Sequence, residues 1–283
     1  LNSALETVNI NPTIAWQVSE KLSVGAGVSA QYASATLSSA IDFGTISGVA
    51  PGLLDGEGTM TGDDWGYGYD VGVIYAFAPE SRFGLSYRSA IEHTLEGDAE
   101  FYVPAPVIGI QALNQFVNTT GRAELELPAS ASLGGLQELN DKVTVMFDVS
   151  WTEWSSLDEL RIEYDSAQAD SVTDESWKDT WRVTVGGEYA ASDAWVLRAG
   201  TAFDESPIPD DAHRTPRIPD SDRFWLTGGI GYRSSEHLSV DFGYAHVFSE
   251  DAHVDRTSET GDRLVGDYEG AADVFSFQVK WSI

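Results

Sequence analysis

Phe275-Ser276-Phe277-Gln278-Val279-Lys280-Trp281-Ser282-Ile283 decides the reading of this chain, because its apolar and polar residues alternate without a break. Successive side chains of an extended strand point to opposite faces, so this segment has one greasy face and one polar face. The rhythm recurs in Phe83, Leu85 and Tyr87 against Arg82, Gly84, Ser86 and Arg88. It recurs again in Trp181, Val183, Val185 and Tyr189 against Arg182, Thr184, Gly186 and Glu188.

About eleven such segments follow one another, near 5–18, 22–40, 64–78, 82–97, 120–137, 141–163, 179–190, 194–205, 221–233, 237–249 and 271–283. Each is close to the roughly ten residues that a tilted strand needs to cross a bilayer. Short polar connections at Ser19–Lys21, Pro79–Ser81, Leu139–Asp141, Ser192–Asp193 and Ser234–Glu236 take turns with long ones at 41–63, 98–119, 164–178, 206–220 and 250–270. In an antiparallel barrel this puts every long loop at one rim. Outer-membrane barrels keep short turns in the periplasm and long loops outside. The expected fold is therefore all-β, a transmembrane antiparallel up-and-down β-barrel, treated as one domain over residues 1–283 and placed as a multi-pass protein in the bacterial outer membrane.

Composition removes other classes. Among 283 residues there is no Cys, so disulfide scaffolds and thiolate metal sites are excluded. Sixteen Lys plus Arg against 45 Asp plus Glu give a formal charge of -29, which repels phosphate backbones and argues against nucleic-acid partners. No window reaches the roughly 18 to 20 apolar residues of a membrane helix. No basic start followed by an apolar core stands at Leu1, so a secretory leader is expected to be removed or to lie upstream.

A soluble β-sandwich also alternates, but two features weigh against it. Trp or Tyr closes the apolar faces near the turns, at Trp16, Tyr75, Tyr189, Trp195, Tyr232 and Trp281, as membrane interfaces select. Loops of about twenty residues are also unusual in compact soluble domains. An odd count of strands leaves an edge that lipid cannot satisfy. N-terminal strands are therefore expected outside this sequence.

The string Phe203-Asp204-Glu205-Ser206-Pro207-Ile208-Pro209, followed by Arg217-Ile218-Pro219-Asp220-Ser221-Asp222-Arg223-Phe224-Trp225-Leu226, resembles the FadL (OmpP1/FadL/TodX) family of outer-membrane long-chain fatty acid transporters. Supporting matches are Val8–Pro12, Gly84–Ser89, Leu127–Ser130, Trp151–Ser155 and Thr180–Arg182, in order along the chain. The resemblance implies a fourteen-stranded barrel with an N-terminal plug and a kinked third strand that opens a side exit. Aligned in this way, the eleven segments are strands four to fourteen, and the plug and kinked strand fall outside the sequence. Ile283 departs from the terminal aromatic usual in such barrels.

The resemblance also implies a greasy capture groove between two extracellular loops, here 41–63 and 98–119. The second carries Phe101, Tyr102, Val103, Val107, Ile108, Ile110, Leu113, Phe116 and Val117, with 107, 110, 113 and 117 expected on one face of a short helix. The first contributes Phe43, Ile46, Val49, Leu53, Leu54 and Met60. Such clusters mean either a binding surface or loops packing on each other, and both can hold at once. Candidate ligand residues are Phe101, Val103, Val107, Ile110, Leu113, Phe116, Val117, Leu53 and Leu54.

A fatty acid's carboxylate needs a cation. By parity Arg88, Arg182, Arg198 and Arg223 point inward, where they can instead pair with Glu124, Glu126, Asp148, Glu188 and Asp241. Arg88 and Arg182 are the candidate ligand cations. Asp204, Glu205, Asp210, Asp211, Asp220 and Asp222 could hold calcium by type, but their spacing matches no metal loop, and solvated acid is the simpler reading. His93, His213, His237, His246 and His253 stand beside no nucleophile pattern, so an enzyme is not expected.

The expectation is passive uptake of hydrophobic compounds without cofactor or metal. Long-chain fatty acids come first and aromatic hydrocarbons second, carried by a monomer set among outer-membrane lipid and lipopolysaccharide. A general diffusion porin and a surface receptor remain the alternatives.

Overall fold

The computed structural model describes residues 2–257, 261 and 263–282, so Leu1, Ile283 and residues 258–260 and 262 lie outside the described residues. The strands run β1 (Ser3–Ile10), β2 (Thr13–Gln17), β3 (Leu22–Asp42), β4 (Asp55–Ala78), β5 (Ser81–Arg88), β6 (Ile91–Tyr102), β7 (Thr119–Leu127), β8 (Ser130–Asn140) and β9 (Val143–Thr152). They continue as β10 (Glu159–Tyr164), β11 (Ser171–Asp174), β12 (Thr180–Ala190), β13 (Trp195–Asp204), β14 (Arg223–Arg233), β15 (Leu238–Ser249), β16 (Ala252–Thr257), β17 (Arg263–Tyr268) and β18 (Ala271–Trp281). All pairings are antiparallel, and β16 and β17 form a separate hairpin.

Several strands are halves of one passage. β1 and β2 both lie along β3 on either side of Asn11-Pro12, where proline cannot donate to the ladder. β5 and β6 share β4, and β7 and β8 follow them. β9 with β10 and β11 with β12 complete the set, giving eleven passages joined by alternating tight turns and long loops. Among the described residues, no ladder joins β18 to β1 or β2.

Register shows why the sheet suits a bilayer. Residues directly opposite on neighbouring strands share a face. One such row runs Trp16, Val24, Val73, Leu85, Leu133, Val149, Val183, Phe203, Phe224, Phe248 and Ala271, apolar across all eleven passages. The adjacent row, on the opposite face, runs Ala15, Gly25, Gly72, Ser86, Ser132, Ser150, Arg182, Asp204, Arg223 and Ser249. The second face lines the cavities and the first is open to the surroundings, as at Ile14, 81% exposed. A wall that is greasy outside and polar inside is what lipid and a hydrated lumen select. At the turn end Trp16, Tyr75, Tyr189, Trp195, Tyr232 and Trp281 lie on the greasy face, with the Trp195 and Tyr232 rings packed at a tilt, centroids 4.5 Å apart.

Toward the loop end the pattern inverts. Ser34, Asp63, Glu96, Arg122 and Glu163 form one outward row across β3, β4, β6, β7 and β10. Charges in such a row cannot face hydrocarbon, so this part of the sheet stands in water. Its inner face is apolar instead, with Met60, Leu95, Ala99 and Ala123 buried.

The inversion has a local device. Asp70 pairs with Arg88 while Asp63 pairs with Glu96, so residues 64–69 of β4 face 89–95, one residue more. An extra residue is a bulge, and it exchanges the two faces of the strand. Even-numbered residues therefore point inward in β5 and odd-numbered ones in β6. β7 and β8 switch in the same way around Pro128-Ala129. Residues 82–97 and 120–137 are thus not uniform strands.

This overturns two expectations. Glu124 and Glu126 stand opposite Thr94 and Glu92 on the outer, watery face, not in the lumen. The long loops are also shorter than 41–63 and 98–119. β3 and β4 stay paired up to Asp42 and Asp55, and β6 continues to Tyr102, because strands above the membrane can still pair in water.

Candidate functional site

Above the inversion the inner face encloses a cavity of about 270 Å³. Leu37, Ile41, Met60, Phe101, Phe116, Leu160, Ile162 and Tyr164 supply apolar wall, and Gln168, Asp170, Ser171, Thr173 and Arg217 a polar rim. Register brings the wall together, since Leu37 faces Met60, Met60 faces Ala99, and Ile162 faces Ala123. Gly97 keeps the sheet tight there, because a Cβ would collide with the Thr61 carbonyl oxygen.

Two loops close over this wall. The helix α1 (Phe43–Ile46) is capped by Asp42, whose carboxylate accepts from the Thr45 amide at 3.1 Å and from the Thr45 hydroxyl at 2.7 Å. The Thr45 hydroxyl holds the Asp42 carboxyl below the usual carboxylate range. α1 seats Phe43, which is fully buried, edge-on against Phe116 at 4.8 Å. Phe116 meets Phe101 at 5.7 Å, and Phe101 meets Tyr164 at 5.5 Å. Loop packing and a seam beside it therefore coexist.

The segment Ala105–Leu113 is a 3-10 helix. Val107 and Ile110 are half-buried, and the three-residue period keeps Leu113 in line with them, although Leu113 is 67% exposed. Val117 is not on that face. Asn114 ends the helix at φ 59° and Phe116 turns the chain again at φ 49°, an uncommon conformation for a bulky residue. That turn brings the Phe116 ring onto Phe43. Val103 is buried under the loop, Leu54 is partly covered and Leu53 is 66% exposed. Of the candidates, only Phe101 and Phe116 line the cavity.

The polar lumen below holds a second cavity of about 680 Å³, lined by Asp70, Arg82, Arg88, Ser130, Ser132 and Asp148 among others. Arg88 is there, as parity predicts. Arg182 lies over the Trp225 ring at 5.3 Å, a cation–π contact away from both of these cavities. Arg198 donates to Glu188 at 2.8 Å and Asp241 at 2.6 Å, the interior network expected of it. Arg223 pairs with Asp204 and Asp220 at 3.3 and 3.2 Å.

The loop acids act as pins. Glu205 accepts from the Trp181 amide, Asp222 from the Ser206 amide, and Asp211 from Arg214. Asp210 accepts from His213, which holds its carboxyl below the usual range. Glu175 lies buried near Arg256, and burial pushes its carboxyl up.

Leu160, Ile162, Tyr164 and Arg217 escaped the sequence reading. The signal for the first three is Glu159, Arg161 and Glu163, whose charges cannot lie on the lipid side of a passage read as 141–163.

The family model described as outer membrane protein transport protein (OMPP1/FadL/TodX) matches residues 1–282. A long-chain fatty acid transport protein of Escherichia coli is 29% identical over 267 residues, covering 87% of this chain and 60% of that protein. The chain thus spans less than two thirds of that relative's length. The crystal structure of a Pseudomonas aeruginosa FadL homologue superimposes with a TM-score of 0.90 at 25% identity, covering 99% of this chain and 68% of the other. A structure named CymD monoaromatic hydrocarbon channel gives a TM-score of 0.67 at 25% identity, with 99% and 74% covered. On the family match, the chain belongs to the OMPP1/FadL/TodX family of outer-membrane transport proteins.

Proposed function

We propose that this chain is the barrel part of a passive outer-membrane transporter of hydrophobic compounds, with long-chain fatty acids as the first substrate class. The observation that carries this reading is the inverted face. Between the turn-end aromatics and the bulge near Ser89-Ala90 the inner wall is polar, while above the bulge the inner wall is apolar although water lies outside. An apolar interior held outside the membrane needs a reason, and catching greasy molecules from water is the plainest.

Capture occurs in the cavity walled by Phe101, Phe116, Met60 and Ile162. Val103, Val107, Ile110, Leu54 and Phe43 hold its cover in place, and Leu53, Leu113 and Val117 form the outer approach. Ligand then enters the polar lumen, where Arg88 meets the carboxylate, and leaves sideways through the wall. Arg182 orders the lumen through Trp225. The fatty acid reading draws support from the Escherichia coli relative's name. Uptake of aromatic hydrocarbons is the second reading, supported by the name of the CymD channel.

Uptake of radiolabelled oleate and toluene by cells carrying the full protein tests this, with Phe101→Asp and Ile162→Asp introduced separately. Both variants are expected to lose most uptake while still inserting in the outer membrane. Unchanged uptake of both compounds would remove the capture site.

A further inference from the structure

Arg217 occupies a built position. Thr215-Pro216-Arg217-Ile218 is a tight turn in which the Ile218 amide donates to the Thr215 carbonyl at 3.2 Å. Proline second in such a turn presets its backbone angle. The turn is anchored from below, since Thr215 is buried and buried Arg214 donates to the Asp220 carbonyl at 3.1 Å and to the His253 carbonyl. Its tip presents Arg217 to the rim of the upper cavity.

The chemistry of that rim is specific. Arg217 is the cation in the lining; the buried Glu175 carboxylate lies near enough to feel its charge, yet among the described residues no carboxylate is within salt-bridge distance of it. Asp170, the acid in the lining, is already taken by Arg161 at 2.9 Å. Other arginines of these loops are likewise engaged, Arg223 by two aspartates and Arg256 by the carbonyls of Asp174 and Ala212. Gln168 accepts from the Phe116 amide at 3.2 Å, and Ser171 and Thr173 add hydroxyls. A bare hydrocarbon filling this cavity would leave the rim unpaired, whereas a head group with anionic oxygens would satisfy it. The chain's charge of -29 makes a local cation the more necessary for an anionic ligand.

We propose that Arg217 determines specificity in the capture cavity by binding the anionic head of an amphiphile whose chain lies along Phe101, Met60 and Ile162. This rests on the reading that the cavity takes hydrophobic compounds. It adds a preference for carboxylates over neutral molecules of equal chain length.

Equilibrium binding of dodecanoate and dodecan-1-ol to the full protein in lipid nanodiscs tests it, with R217Q, R217K and Ile162→Asp compared. Wild type is expected to favour dodecanoate, with an affinity that falls as salt rises. R217Q should weaken dodecanoate about tenfold, as loss of a charge-assisted pair does, leave dodecan-1-ol unchanged and abolish the salt dependence. R217K should restore part of the preference. Equal loss of both probes in R217Q, or no loss of either, overturns the proposal. If Ile162→Asp still weakens both probes in that case, the capture reading survives without it. If wild type binds neither probe, both readings fall together.

Discussion

Tyr32 stands directly opposite Trp65 on the outer face of β3 and β4, with ring centroids 5.5 Å apart. Two residues further toward the loops, the next outward pair is Ser34 and Asp63. Two residues back it is Ala30 and Tyr67, followed by Val28 and Tyr69. Aromatic rings of this kind settle at the membrane–water interface. The Tyr32–Trp65 pair therefore marks the level at which lipid ends and water begins.

Position along β3 should accordingly set the effect of an outward charge. Val28→Arg, below the pair, is expected to destabilise the folded barrel in lipid by about 2–4 kcal/mol. Thr36→Arg, above it, should change stability by less than about 1 kcal/mol. Urea unfolding in liposomes measures both, and equal effects would contradict the assigned level.

Phe43 and Phe116 tie the first two long loops together across their 4.8 Å contact. A double-mutant cycle with Phe43→Ala and Phe116→Ala should give a coupling of about 0.5–1.5 kcal/mol. Because loops open locally, the readout is protease resistance of residues 103–118 under native conditions. Additive effects would show that the loops are held independently.

Glu175 gives a pH dependence of definite sign. Burial raises its folded-state pKa above the ordinary glutamate value, so the folded protein binds more protons than the unfolded one between those two values. This contribution is fully present below the unfolded pKa and is lost as pH rises through the folded one. Loop protection against protease should therefore weaken as pH climbs from the ordinary glutamate value toward neutrality, and E175Q should flatten that trend. An unchanged slope in E175Q would assign the dependence to another group.

The wall of the barrel was legible because alternation is a direct imprint of a two-faced strand. Phe83, Leu85 and Tyr87 on one side and Arg82, Gly84, Ser86 and Arg88 on the other mark a two-faced strand, and the aromatic ends and long loops place it in a membrane wall. The inversion was less legible, because a single extra residue near Ser89-Ala90 exchanges the faces without disturbing the local rhythm. Glu124 and Glu126 were thereby placed on the wrong side. Apolar content pointed to the two loops, from which Phe101 and Phe116 line the cavity. The opposite wall could not be located from the sequence, since Leu160, Ile162 and Tyr164 arrive through long-range pairing of β10 with β7. Arg217 was visible only as part of a family motif.

Central to the account is an inner face that turns apolar where the outer face meets water. The chain has no native Cys, so spin labels placed singly at Val28, Ala30, Thr36, Thr61, Leu37 and Ile162 can be read in lipid bilayers by their accessibility to oxygen and to a water-soluble nickel chelate. The expected result is oxygen access at 28 and 30 and nickel access at 36 and at 61, which stands opposite 36 on the outer face. Labels at 37 and 162 should be shielded from nickel, and more so when dodecanoate is added. Oxygen access at 36 and 61, or free nickel access at 37 and 162 that dodecanoate leaves unchanged, would contradict it.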